Sequence, residues 1–324
     1  LSFDSFRILK TEVARPTLIK REISGVLLLD KPGGISSNRA LQIAKRLYSA
    51  RKAGHTGTLD PMATGLLPIC FGDATRFSSA LLGADKTYEA TLRPGYISTT
   101  GDAEGDISIA GALPPQGLKG ALPQVETVLS SFTGLITQVP PMYSALKHHG
   151  KPMYVYAREG TEIERQPRQV IIHELRLTAI DDNEVSVMVR CGSGTYIRTL
   201  AEDIGKALGL GGAYLTALRR TSLDNFNLSH AYTLDALEVR PIPALDSCLL
   251  PVDTLLRDLP AVMLEAPAAL FLRQGRSVAG VGGASAEGQK IRLYDEKKNF
   301  LGLGEITAEG DIAPKKIVGN VQKL

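Results

Sequence analysis

Two short apolar runs, Gly25-Val26-Leu27-Leu28-Leu29 and Leu66–Phe71, constrain the fold most. Each is nearly continuous in apolar residues, as in a strand buried on both faces. Between them come a turn signal, Asp30-Lys31-Pro32-Gly33-Gly34, then a helical pattern, then a Gly- and Thr-rich segment over 51–65. Leu41, Ala44, Leu47 and Tyr48 recur at helical spacing, with Arg39, Lys45 and Arg46 on other faces. Ser36 or Ser37 stands where an N-cap belongs, so a helix is expected over about 38–50. The core therefore includes buried strands, and the segment 51–65 is a loop presented between a helix and a strand.

Later segments alternate in the same way. Thr87–Leu92 reads as a strand, 93–124 as a long surface connection rich in Gly, Pro, Asp and Thr, and 125–132 as a short helix. Val170–Ile180 and Glu184–Arg190 read as strands joined by Asp181-Asp182-Asn183. Residues 196–208 form an amphipathic helix on Leu200, Ile204, Ala207 and Leu208. A Pro-containing stretch near 241–251 marks a boundary, and runs such as Ile291–Tyr294 and Phe300–Ile306 indicate a small β-rich domain beyond it. The expected organisation is an N-terminal arm over 1–22, a main domain over 23–250 and a C-terminal domain over 251–324.

Composition narrows the functional classes. The 37 Lys+Arg against 34 Asp+Glu leave a net charge of only +3, so any polyanion site must come from local clustering. The three cysteines, Cys70, Cys191 and Cys248, are widely spaced and odd in number, which points to a reducing, cytoplasmic setting. The five histidines have no metal-ligand spacing, so no metal is expected. No apolar run approaches the roughly 18–20 residues of a membrane span, and the N-terminal residues lack the apolar core of a secretory signal.

Charge does cluster locally. The window 31–72 carries Lys31, Arg39, Lys45, Arg46, Arg51 and Lys52, and its only acid is Asp60. Such a surface attracts phosphate, and neighbouring cations are expected to keep Asp60 ionised. An ionised carboxylate beside a polyanion is costly unless it acts as a nucleophile; the alternative is that Asp60-Pro61 simply opens a turn. A second cluster, over 140–168, interleaves Lys147, Lys151, Arg158, Arg165 and Arg168 with Tyr143, Tyr154 and Tyr156. Basic and aromatic side chains together suit RNA, whose splayed bases stack on rings; a solvated loop with a few buried tyrosines fits the composition as well. In Cys191-Gly192-Ser193-Gly194-Thr195-Tyr196-Ile197-Arg198 a strand feeds a Gly-rich turn into a helix. Arg198 falls in the first helical turn, where a cation opposes the helix dipole. A residue that breaks a local rule points to a site, or else to an ordinary turn with Arg198 paired to an acid.

Together these features resemble one family. Gly54-His55-Thr56-Gly57-Thr58-Leu59-Asp60-Pro61-Met62-Ala63-Thr64-Gly65-Leu66-Leu67 is similar to the catalytic motif of the TruB-type pseudouridine synthases. It is flanked in family order by Asp30-Lys31-Pro32, Ser36-Ser37-Asn38, Lys86-Thr87-Tyr88, Pro141–Lys147, Ala157-Arg158-Glu159-Gly160, Gly194–Arg198 and Leu218-Arg219-Arg220. The resemblance spans about residues 24–324. It implies an α+β fold with a mixed, largely antiparallel central sheet, and a small β-rich C-terminal domain of the PUA type. One departure is visible: Ser98-Thr99-Thr100 stands where the family often has Thr-Asp-Thr, although Asp102 and Gly105 fit.

The resemblance also implies roles. Asp60 is the nucleophile that isomerises the T-loop uridine of tRNA, position 55, attacking either ribose C1′ or uracil C6. His55 helps to extrude the nucleotide, because a stacked base cannot present these atoms to a side chain. Tyr88 stacks on the base and is a candidate acceptor of the C5 proton. Tyr196 lines the same pocket, Arg198 pairs with Asp60, and Leu218 is an apolar wall. Lys31 and Lys147 are basic contacts to the substrate. No cofactor is implied, and the partner is the T-arm of tRNA, met by a monomer without protein partners. A catalytic subunit of a guide-RNA particle and an RNA-binding or RNA-folding module are the competing readings.

Overall fold

The structure, a computed structural model, describes residues 20–280 and 286–319. Residues 1–19 of the expected arm lie outside it. Residues 20–22 are tied down: the Arg21 guanidinium holds Asp246, and its backbone pairs with Ser49 and Arg51.

The first apolar run forms β1 (Gly25–Lys31). Period-two alternation splits its side chains between two cores: Leu27 and Leu29 join the main cluster, Val26 and Leu28 a second one. That division explains an uninterrupted apolar strand. Helix α1 (Ser37–Leu47) follows, its N-cap Ser36 accepting a hydrogen bond from the Arg39 N–H at 3.1 Å. Ala40, Leu41 and Ala44 are its buried face. Then come β2 (Ala53–His55), β3 (Thr64–Phe71) and β4 (Lys86–Pro94).

The stretch expected to be a plain connection, 93–124, is more structured than its composition suggests. It contains a hairpin, β5 (Tyr96–Ser98) with β6 (Ile107–Ile109), and α2 (Gly117–Gly120). Gly101, Asp102, Gly105 and Asp106 lie in the turn of that hairpin, which delivers Asp102 into the interior. Next are α3 (Leu122–Ser131), β7 (Gly134–Gln138), the short hairpin β8 (Lys147–His148) with β9 (Lys151–Pro152), and α4 (Met153–Arg158). The main domain ends with β10 (Arg168–Ile180), β11 (Val185–Cys191), α5 (Ile197–Ala207), β12 (Ala213–Leu223), β13 (Phe226–Asn227), β14 (Tyr232–Thr233), α6 (Leu234–Glu238) and α7 (Ile242–Asp246).

The central sheet has the order β14-β1-β3-β12-β4-β11-β10-β7, with β2 on β3 and β13 on β12. Only β1–β14 and β3–β12 run parallel, so the sheet is mixed and largely antiparallel. A separate sheet, β15 (Ala261–Leu264), β16 (Lys290–Asp295), β17 (Phe300–Ile306) and β18 (Ile312–Ile317), carries α8 (Ala266–Arg273) and has its own core around Leu272, Leu293 and Ile312. It leans on the second cluster of the main domain, where Phe300 meets Phe77 edge-on at 5.6 Å. Among the described residues no helix is long and apolar enough to cross a membrane.

Candidate active site

The loop between β2 and β3 is held from both sides. Ser37, at the start of α1, accepts from the Leu59 N–H at 2.8 Å and donates to the Leu59 carbonyl at 2.9 Å. The Lys31 ammonium, at the end of β1, donates to the carbonyls of Pro32, Ile35 and Pro61 at 2.8, 2.6 and 3.1 Å. Lys31 is fully buried, and burial pulls its amine down to about 8. Its placement therefore differs from that of a surface contact: a side chain with no exposed area and three backbone partners braces the loop carrying Asp60.

Asp60 is half-buried at the tip of that loop. Arg198 reaches it from the first turn of α5, its Nε 3.0 Å from Asp60 Oδ2. The other guanidinium nitrogens are committed as well: Nη1 donates to Thr100 O and Nη2 to Tyr143 O, both at 2.8 Å. Asp102, itself buried, stands 3.9 Å from Nη1 and is held by the Thr100 hydroxyl at 2.5 Å. The residue out of place in a helix start is thus placed by an acid and two carbonyls from three other segments.

Electrostatics around Asp60 differ from the expectation drawn from the cluster of cations. Burial raises its pKa; Arg198 and Lys31 oppose the rise and Asp102 adds to it. Of the cations in the window 31–72, Lys31 alone acts on Asp60; Arg51 is exposed and paired with Glu22. Counting charges along the chain omits both desolvation and Arg198.

Tyr88 lies on β4, nearly buried, and burial raises its phenol. Leu218 and Arg220 on β12 face Ala90 and Tyr88 across the sheet. Leu218 is a strand residue and is 8% exposed. His55 ends β2 half-buried, and its Nδ1 has no hydrogen-bond partner among the described residues. Burial, then Arg220, lowers its pKa, so the ring is neutral at pH 7. Tyr196 is the residue preceding α5. Gln138 brackets its backbone, accepting from its N–H at 3.1 Å and donating to its carbonyl at 3.2 Å, while the Arg168 guanidinium lies 4.8 Å from the ring centre. Lys147 is exposed on the β8–β9 hairpin.

A cleft of about 520 Å3 adjoins this constellation, lined by Met62, Thr64, Ala103, Leu218 and Arg219 and continuing over Thr91 and Ser186. Asp60 and Tyr88 do not line it, so it runs beside the carboxylate and not around it. Among the described residues no group of three or more His, Cys, Asp or Glu could hold a metal ion. Sequence reasoning missed Ser37 as a brace and Arg220 as a buried cation. The signal for Arg220 was present: two arginines in tandem directly after the apolar pair Ala217-Leu218.

The fold is that of the pseudouridine synthases. A chain from an H/ACA ribonucleoprotein bound to a substrate RNA containing 2′-deoxyuridine superposes with a TM-score of 0.66 at 24% identity, covering 91% of this chain and 85% of that one. A chain from a Cbf5-Nop10-Gar1 complex gives a TM-score of 0.66 at 26% identity, covering 90% and 84%. Residues 45–197 match the N-terminal domain of the TruB family pseudouridylate synthases. Residues 198–257 match the tRNA pseudouridylate synthase B C-terminal domain, and 260–318 match the C-terminal region of pseudouridine synthase II TruB. The tRNA pseudouridine synthase B of Nitrosospira multiformis is 63% identical over 94% of this chain and 98% of its own length. That of Nitrosomonas europaea is 54% identical over 90% and 94%. The chain belongs to the TruB family of tRNA pseudouridine synthases, and it is an isomerase acting on tRNA.

Proposed function

We propose that the protein converts the T-loop uridine of tRNA, position 55, to pseudouridine with Asp60 as nucleophile. The observation that carries this reading is the 3.0 Å contact between Arg198 Nε and Asp60 Oδ2, in a guanidinium whose other nitrogens are already occupied. A charge-assisted bond of that kind fixes the carboxylate and favours its ionised form against burial. Asp60 adds to C1′ or C6, the C1′–N1 bond breaks, and the base turns within the pocket. C5 then bonds to C1′ as the bond to Asp60 breaks, the C5 proton leaves to solvent, and N1 takes up one proton. Substrate and product are isomers, so the reaction consumes no co-reactant.

The base is flipped out of the T-loop to reach Asp60, with His55 entering the space it leaves. A neutral imidazole with a spare ring nitrogen suits a contact to unstacked bases. Tyr88 stacks on the flipped uracil, and Leu218 and Tyr196 complete the pocket. For Tyr88 to take the C5 proton its phenol must overcome burial, which Arg220 assists. Residues 23–250 are the catalytic domain. The insertion 140–168, with Lys147 exposed, grips the T-arm, and 251–324 act as the PUA-like domain. The three cysteines are free and buried, in keeping with a reducing cytoplasm. The enzyme works as a monomer without protein partners.

The test is a tRNA transcript labelled with tritium at uridine C5, incubated with the protein without metal or cofactor. Stoichiometric release to water, abolished by Asp60→Asn, is the expected result. No release from a tRNA that still binds would overturn the stand-alone reading and favour a guide-dependent subunit.

A further inference from the structure

Arg220 is 1% exposed, among the most buried large side chains of the protein. A guanidinium stays charged at any pH a protein survives, and a buried charge normally sits against a carboxylate. Among the described residues no carboxylate lies within 4.0 Å of Arg220. Its Nε donates to the Leu66 carbonyl on β3 at 2.7 Å, and its Nη2 donates to the Gly57 carbonyl in the catalytic loop at 2.7 Å. Its side chain also stands beside the phenol of Tyr88, its cross-strand partner on β4.

The catalytic loop packs closely on β12 at this position. Gly57 has φ +69°, and a Cβ there would come within 3.1 Å of Arg220 Nη1. Gly65, φ +99°, lies so close to the Arg220 backbone that a Cβ would fall 2.3 Å from its carbonyl oxygen. Both positions of the motif that carries Asp60 have positive φ, which favours glycine; at Gly57 the Arg220 guanidinium and Leu223 fill the space a side chain would need, and at Gly65 the β12 backbone does. If packing alone mattered, an apolar residue of similar volume would do as well or better. What an apolar residue cannot do is hold Gly57 and Leu66 in one planar fork.

We infer that Arg220 is a positioning residue: from β12, where it pairs across the sheet with Tyr88 on β4, its guanidinium holds the loop that presents His55 and Asp60 and the start of β3, fixing nucleophile and base platform in one register. The inference rests on the reading of Asp60 and Tyr88 given above. Arg220 acts through those residues, being too buried to touch RNA itself. A displacement of about 1 Å in such a constellation costs on the order of 100-fold in rate, and that is the size of effect expected.

The experiment compares the parent, Asp60→Asn, Arg220→Lys and Arg220→Gln. Each is assayed for single-turnover tritium release, for tRNA affinity and for its thermal melt. Arg220→Lys keeps the charge but cannot make both bonds of the fork; Arg220→Gln keeps part of the fork without the charge. Both are expected to lose about 100-fold in rate, while tRNA affinity stays within about threefold and the melt remains cooperative. Combining Arg220→Lys with Tyr88→Phe is expected to cost clearly less than the product of the separate losses, because both changes act on one unit. Parental rates in both Arg220 variants, with Asp60→Asn inactive, would overturn the positioning role and leave the site reading intact. Loss of folding or of tRNA binding in both would make Arg220 a structural residue, which also overturns it. Tritium release by Asp60→Asn would overturn the site reading and, with it, the inference.

Discussion

Arg198 meets Asp60 through Nε, 3.0 Å from Oδ2, and gives both terminal nitrogens to the backbone of Thr100 and Tyr143. Asp60 is therefore oriented by a side chain that has no freedom left. Lysine carries the same charge but not the fork. Arg198→Lys is expected to lower single-turnover tritium release by on the order of 100–1,000-fold. A rate within tenfold of the parent would mean that charge alone suffices.

The acid side of the pH profile follows from burial. If Asp60 is the nucleophile proposed above it attacks when ionised, and burial raises its pKa, so activity is expected to be lost as pH falls through a value above the usual aspartate pKa. The negative charge of Asp102 favours the proton on Asp60. Asp102→Asn removes that charge, so the acid limb of the single-turnover rate is expected to move to lower pH, even though the absolute rate falls. A limb that moves upward would contradict this electrostatic order.

Lys31 serves stability. Lys31→Met leaves the carbonyls of Pro32, Ile35 and Pro61 without their donor. The expected loss is about 1–3 kcal/mol of folding free energy, read from denaturant unfolding. The salt dependence of tRNA affinity is expected to stay unchanged, since a fully buried ammonium releases no phosphate counterion. A reduced salt slope would restore Lys31 as a direct contact.

Lys147 and Arg158 make the opposite case. Lys147 is exposed on its hairpin, and the Arg158 guanidinium lies 5.5 Å from the Tyr154 ring centre. Neutralising both is expected to lower the slope of log K against log salt by about 1.5, with single-turnover chemistry at saturating tRNA little changed. An unaltered slope would remove the insertion from the interface.

Removing only the hydroxyl of Tyr88 separates stacking from proton transfer. Tyr88→Phe is expected to keep tRNA affinity within about threefold, because the ring face remains. Its tritium release is expected to slow by on the order of 100-fold. Unchanged release would leave the phenol without a part in C5 deprotonation.

The sequence by itself determined much of the scaffold. One of the two serines placed for an N-cap, Ser36, caps the first helix, β17 runs from Phe300 to Ile306 as its apolar pattern indicates, and the motif around Asp60 pointed to the family. These are local signals, in which periodicity, caps and turns involve neighbours in the chain. The tertiary structure decided what Asp60 touches. Of the cations nearest in sequence, Arg51 pairs with Glu22, whereas Arg198 and Asp102 arrive from remote segments. It also turned Lys31 from an apparent surface charge into a buried brace and placed Arg220 in the interior. Desolvation and long-range hydrogen bonds depend on which segments pack together, and no window of sequence contains that information.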